Sequence, residues 1–285
     1  GHTRRAYAKA AVQFLDWCEL QGMKLEEVDP VRAALYFRGL KKAYKVRTVK
    51  LHLSACKNLF GWFVTEGVIR GGNPLASIKG PKLSLTKGET PHLSKEEVKT
   101  LFDSLTGLGI KDYRDRAMLA ILFYAWIRVN ALVQMNVSDY QKTSDGFYTL
   151  KVVEKGSKHR EIPAHHKVVT YVNAYLKAAQ IDPQDEQQKT LPLFRTLSRT
   201  KQLSENRLDQ PNLFRMIRAR AKDANIRTDI NNHTGRTTGI TTYLESGGQR
   251  EEAQRIAGHA DPRTTQLYDR RDLRISQSEI EKVQY

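Results

Sequence analysis

Near the end of the chain, His233-Thr234-Gly235-Arg236 sets an imidazole and a guanidinium three residues apart, on one face of a helix start. Gly258-His259 follows, 23 residues after Arg236, and Tyr268 comes 9 residues after His259. Guanidinium is always protonated and presents a planar fork of donors that matches anionic oxygen. Imidazole takes or gives a proton near neutral pH. A tyrosine hydroxyl, with a free pKa of about 10, is a latent nucleophile that needs help losing its proton. Tyr268 sits between Leu267 and Asp269-Arg270-Arg271, a charged setting unlike that of a core residue. Further upstream, Lys155-Gly156-Ser157-Lys158 reads as a basic turn joining a strand at 147–153 to a return at 159–163. Taken singly, each feature has a plainer reading: a capped helix with a surface Arg, or a solvated turn.

Other groups carry less. His165-His166 resembles a metal pair, but adjacent side chains point to different sides of a helix or strand, so a surface role is expected. There is no His-Glu-x-x-His, paired Cys-x-x-Cys or P-loop, so neither metal nor nucleotide cofactor is expected. Tyr243 falls within a helix and reads as core; Tyr285 is the last residue. Cys18 and Cys56 lie among apolar residues at helical spacing and read as buried thiols.

The elements around these residues are mainly helical. Residues 3–68 read as helices throughout, with Thr3 as a cap, a second helix opening at Asp29-Pro30 and a third over Val46–Phe63. A turn or short helix is expected near Leu75–Ile78. The stretch 81–92 has turn residues and little periodicity and reads as a linker. Ser94, with Glu97 three places on, forms a capping box that opens a second domain. There, Asp112–Asn130 reads as one apolar helix, and further helices are expected near 165–180, 210–225, 235–246 and 251–257. Asp261-Pro262 starts a short last helix carrying Tyr268. The expected domains are thus a helical domain over 1–80 and a second domain over 93–285 with a tail from 269. Overall, the fold class expected is mainly α with a small β-hairpin or sheet (α+β).

The 285 residues carry 47 Lys and Arg against 31 Asp and Glu, a formal net charge of +16. Residues 1–90 hold 16 of the basic and 7 of the acidic residues, so both parts are basic. Nucleic acid is the expected partner of such a surface. Lys41, Lys42, Lys45, Arg47 and Lys50 form the densest run and, with Lys158, are the candidate phosphate contacts. No uncharged run reaches the ~20 residues a bilayer span needs. No signal peptide opens the chain, so a cytoplasmic, nucleoid-associated protein is expected. The chain starts Gly1-His2 without a Met, which leaves open whether a native segment precedes it.

In their order and spacing, His-x-x-Arg, Gly-His and the Tyr nine residues on resemble the C-terminal signature of the tyrosine recombinases, or phage-type integrases. That family also carries a first Arg at the end of an apolar helix, followed by a hydrophobic run and an Asp. Ile127-Arg128-Val129-Asn130-Ala131-Leu132-Val133-Gln134-Met135-Asn136-Val137-Ser138-Asp139 is similar, which makes Arg128 that residue. The family lysine lies in a Lys-Gly-x-Lys hairpin turn, which gives Lys155 that place and Lys158 the role of rival. One departure stands out: the family usually has Gly two places before the first Arg, and here Trp126 and Ile127 precede Arg128.

The resemblance covers nearly the whole chain and implies an N-terminal core-binding domain and a catalytic domain forming a C-shaped clamp on DNA. It implies catalysis by Arg128, Lys155, His233, Arg236, His259 and Tyr268. Tyr268 would attack phosphorus to give a 3′-phosphotyrosine, His233 would act as base, Lys155 as the acid for the leaving 5′ oxygen, and His259 would hydrogen-bond the phosphate. No cofactor is implied, because the bond energy is kept in the phosphotyrosine. Partners implied are double-stranded recombination sites and three further copies in a tetramer that passes through a four-way (Holliday) junction. Free in solution, the chain is expected to be a monomer, and the need for accessory proteins is open. The tail Arg274–Val283, with Ile275, Ile280 and Val283 at helical spacing, would dock on a neighbour. Two other functions compete: relaxation of DNA by a type IB topoisomerase, which uses the same chemistry, and non-catalytic sequence-specific DNA binding.

Overall fold

A computed structural model describes residues 2–82, 90–154, 158–270 and 281. Lys155, Tyr285, Ile275, Ile280, Val283 and most of the expected linker lie outside the described residues. The chain divides into two compact units, Gly1–Leu85 and Thr86–Tyr285.

The first unit is a helical bundle of α1 (His2–Leu20), α2 (Pro30–Ala43) and α3 (Val46–Thr65). Thr3 lies inside α1 rather than at its cap. The Asp29 carboxylate accepts the Arg32 N–H at 2.8 Å, and Pro30 opens α2 with the φ a helix requires. Residues 74–77 form a turn. The apolar faces meet in an aromatic core where Phe14 sits edge-on to Tyr36 (4.9 Å) and Phe60 (5.6 Å). Cys18 and Cys56 are free and buried, and burial pushes the Cys56 thiol up to about 12.

The second unit opens with α4 (Lys95–Asp103), whose capping box is formed as the sequence implies: Ser94 Oγ accepts from Glu97 N and Glu97 accepts from Ser94 N. Next come α5 (Ile110–Ala120), a π-helical turn at Ile121–Ala125, and α6 (Val129–Gln134). β1 (Tyr140–Lys142), β2 (Tyr148–Glu154) and β3 (Lys158–Pro163) form an antiparallel sheet in that order. α7 (His166–Ala178) and α8 (Glu186–Lys189) lead to a two-stranded sheet of β4 (Arg195–Leu197) and β5 (Leu203–Arg207). The chain continues through α9 (Gln210–Asp223), α10 (Thr234–Glu245), α11 (Arg250–Ala257) and α12 (Pro262–Gln266). α5, α6, β2, α7 and α9 enclose the main core. At its edge the buried carboxylate of Asp115 is held by Arg114 (3.1 Å) and Arg220 (2.8 Å), so its charge is paired rather than stranded.

Three further sequence expectations are corrected. The single helix over Asp112–Asn130 breaks: Trp126 takes a left-handed backbone (φ 53, ψ 31) and α6 restarts after Arg128. β1, β4 and β5 were absent from the expected hairpin, because three- to five-residue strands show too little alternation. Tyr268 lies in the turn after α12, its N–H reaching Thr265 O at 3.0 Å, rather than on the helix.

Trp126 stands where the family resemblance leads one to expect glycine, and its left-handed backbone is one that glycine adopts freely. A left-handed backbone suits Gly and costs a bulky residue about 1–2 kcal/mol. Here the indole fills space that α10 leaves open. A methyl group at Gly239 would collide with the Trp126 ring and the Phe123 carbonyl oxygen, and one at Gly235 would press on Leu122 and Phe123 at 3.1 Å. Trp126, Ile240, Leu244, Ala253 and Ala257 form a separate apolar cluster on which Tyr243 and Tyr268 also pack. Gly239→Ala is therefore expected to destabilise the protein by about 1–3 kcal/mol through overpacking. Thermal unfolding should show it as a drop of several degrees, at roughly 2–4 °C per kcal/mol for a unit of this size.

Candidate active site

The site is built where α10 crosses the segment before α6. Apart from Gly239, Thr242 and Tyr243, α10 is enclosed by protein from its first turn to Leu244, so its only guanidinium is buried with it (Arg236, 3% exposed). Arg236 Nη1 donates to Trp126 O and Nη2 to Ala257 O. Those two bonds use two of five N–H groups and leave three for an anion. Burial first, then Arg128, lowers the guanidinium to about 10, so it stays charged at neutral pH.

Arg128 caps α6 with an extended backbone (φ −67, ψ 141), and its side chain is half-exposed. It pairs with Glu154 at 2.5 Å, while the other Glu154 oxygen meets Arg160 at 3.1 Å. Arg160 also donates to Arg255 O (3.0 Å) and Ile256 O (2.7 Å) near the end of α11. A methyl group at Gly258 would strike this guanidinium at 2.6 Å, so glycine there permits the close approach as well as the positive φ of 62.

His233 immediately precedes α10, its N–H held by Asn231 Oδ1 at 2.8 Å, and is open to solvent. The protein packed around it, then Arg236 and Arg128, lower its pKa, which keeps the imidazole unprotonated at neutral pH. His259 is buried, with Nδ1 2.9 Å from Thr265 Oγ1. Burial, Arg236, Arg128 and Arg160 push it down to about 3. The Tyr268 ring lies parallel to that of His259, 5.5 Å between centroids and 11° between planes. Thr241 Oγ1 donates to Tyr268 O at 3.4 Å, and the carboxylate of the following residue, Asp269, pairs with Arg250 at 2.8 Å.

The structure thus brings Arg128, His233, Arg236, His259 and Tyr268 around one basic hollow. Lys158 begins β3 opposite Glu154 and is exposed. Lys41, Lys42, Lys45, Arg47 and Lys50 are exposed on the first unit, around the end of α2 and the start of α3. His165 caps α7 and stacks on Tyr124 at 4.6 Å, a structural role. Tyr243 packs on Trp126 at 5.3 Å. Sequence reasoning missed Glu154, Arg160 and Thr265. Strand alternation held a signal for the first two: Glu154 shares the inward face of β2 with Leu150 and Val152, and Arg160 shares that of β3 with Ile162.

The sequence pattern of the phage integrase family matches residues 91–273. The chain belongs to this family. It is 29% identical to tyrosine recombinase XerD of Pseudomonas aeruginosa over 94% of this chain and 86% of the relative. It is 32% identical to XerD of Staphylococcus saprophyticus over 74% of this chain and 66% of that relative. Among solved structures, XerH recombinase bound to its difH substrate aligns with TM-score 0.72 and 19% identity, over 98% of this chain and 77% of that one. A lambda integrase tetramer bound to a Holliday junction aligns with TM-score 0.62 and 17% identity, over 89% of this chain and 69% of that one. At these identities the structures speak for the fold.

The low pKa of His259 links the site to stability. The unfolded imidazole takes a proton below about 6.5, whereas the folded one resists down to about 3. The neutral form therefore contributes stability that is present above 6.5 and is lost as pH falls towards 3, with a slope of up to ~1.4 kcal/mol per pH unit. Denaturant unfolding of wild type and His259→Asn between pH 7 and 4 should show a shallower loss in the variant. Equal slopes would count against a buried neutral imidazole.

Proposed function

We propose that this chain, a site-specific DNA recombinase of the tyrosine type, cuts and rejoins DNA through a 3′-phosphotyrosine on Tyr268. The observation that carries the reading is the buried Arg236, fixed by two uncharged carbonyls and left with three N–H groups beside Arg128 and Tyr268. A phosphodiester repels nucleophiles through its anionic oxygens. Two guanidiniums at the non-bridging oxygens offset the charge that grows as Tyr268 adds. Losing one such donor typically costs about 10²–10³ in rate.

His233, held unprotonated by desolvation and then by its cationic neighbours, suits the base that takes the Tyr268 proton. His259 suits a phosphate donor: if Thr265 donates to Nδ1, the imidazole hydrogen lies on Nε2. Lys155, or its rival Lys158, protonates the leaving 5′ oxygen. No outside energy source enters, since the freed 5′ hydroxyl of another strand attacks the phosphotyrosine and returns Tyr268. Double-stranded recombination sites, a homotetramer and passage through a Holliday junction belong to the same reading, as do the domain roles of 1–80 and 93–285. The exposed lysines of the first unit suit phosphate contacts, because α3 begins without an acidic first-turn residue or a side-chain cap to meet its N–H groups. The relatives and folds reported above are recombinases and integrases, which favours this over simple relaxation or passive binding.

Incubation with a nicked suicide duplex carrying a candidate site tests the nucleophile. Wild type should give a slow-migrating covalent adduct on a denaturing gel, and Tyr268→Phe none; an adduct that persists in Tyr268→Phe would move the nucleophile elsewhere. The general acid is separable by chemistry. A duplex with sulfur at the bridging 5′ position has a leaving group that needs no proton. Lys155→Ala should lose cleavage of ordinary DNA by about 10²-fold or more and regain it on the sulfur duplex. Lys158→Ala should cut both alike, and rescue of Lys158→Ala instead would reverse the assignment.

A further inference from the structure

The basic hollow already contains an anion. Glu154 is nearly buried, its side chain 6% exposed, and each of its oxygens meets a different guanidinium: Arg128 at 2.5 Å and Arg160 at 3.1 Å. The two partners are unlike. Arg160 is 18% exposed and is anchored to the end of α11 by Arg255 O and Ile256 O. Arg128 is 36% exposed, and the Glu154 carboxylate is the polar partner its guanidinium shows among the described residues. The carboxylate is therefore fixed from one side and holds a more exposed cation, without other anchors among the described residues, with the other.

We propose that Glu154 is a placeholder for the scissile phosphate, occupying Arg128 until DNA arrives and slowing strand cleavage by the exchange it imposes. The inference rests on the phosphate site proposed above. Without DNA, the carboxylate offsets the repulsion between Arg128 and the buried Arg236, which cannot move away from its two carbonyls. When a phosphodiester enters, Arg128 turns from carboxylate to phosphate, and Glu154 stays behind on Arg160. Its charge then faces another anion across a few ångströms, which weakens phosphate binding. The arrangement keeps the hollow ordered and only partly charged when empty, so stray anions are held less tightly than a duplex aligned by the rest of the protein.

The test crosses two changes of charge. Glu154→Gln keeps the shape and an oxygen for Arg160 but removes the negative charge. With ordinary nicked duplex it should form the Tyr268 adduct about tenfold faster than wild type. In the Tyr268→Phe background it should also bind the duplex more tightly. With a neutral methylphosphonate at the scissile position, the binding gain should vanish. Glu154→Ala, which also removes the charge, should change both readouts in the same direction, so a single variant that fails to fold does not decide the matter. A loss of rate would make Glu154 a support for Arg128, and an equal binding gain on both duplexes would make its effect nonspecific; either overturns the placeholder, as does no change. If wild type itself forms no adduct on a duplex it binds, the underlying cleavage reading fails as well.

Discussion

A guanidinium taken out of water must replace its hydration with fixed partners, and Arg236 does so with two main-chain carbonyls from different parts of the fold. One belongs to Trp126, just before α6, and the other to Ala257, at the end of α11. Three segments far apart in sequence are thereby held to one side chain. If either carbonyl moved, a buried charge would lose its partner, an expensive state. The fold around α10 is constrained to keep both in place. Arg128 and His259, two residues beyond each carbonyl, are positioned by the same requirement.

Close packing makes that arrangement reachable. Gly235 and Gly239 are one helical turn apart and let the π-helical turn and the Trp126 indole approach α10. The indole then carries Ile240, Leu244, Ala253 and Ala257, and Tyr268 rests against the same cluster. The left-handed backbone at Trp126 is the strained step, and the apolar contacts of its large ring offset it. The residue that departs from the family pattern thus forms part of the support for the residue proposed as nucleophile. It links a change at position 126 to the placement of position 268 through packing rather than through charge.

Much of this was legible in the sequence where the signal is local. Asp29-Pro30 and the Ser94–Glu97 box marked helix starts that the structure contains, and apolar periodicity gave the helices of both units. The spacing of His233, Arg236, His259 and Tyr268 singled out residues that the fold gathers around one hollow. Non-local features were not legible. The break at Trp126 goes with the close approach of its ring to Gly239, more than 100 residues away. The pairing of Glu154 with Arg128 and Arg160 depends on the sheet meeting α6 and α11. Short strands such as β4 and β5 exist because each is the other's partner, which no single segment announces.

The two guanidiniums of the hollow are satisfied by different means, and the difference matters for an anion site. Arg236 is held by uncharged carbonyls, so it is fixed in place and keeps its full charge for an incoming phosphate. Arg128 is held by a carboxylate, so its charge is already offset and must be released. Burial first, and then the same cations, hold His233 and His259 below the ordinary histidine range, which keeps both imidazoles neutral. An entering phosphate supplies negative charge beside them and favours their protonated forms. On the proposed reading, the substrate itself therefore makes His233 a better proton acceptor once bound, and the capacity for base catalysis rises where and when Tyr268 must lose its proton.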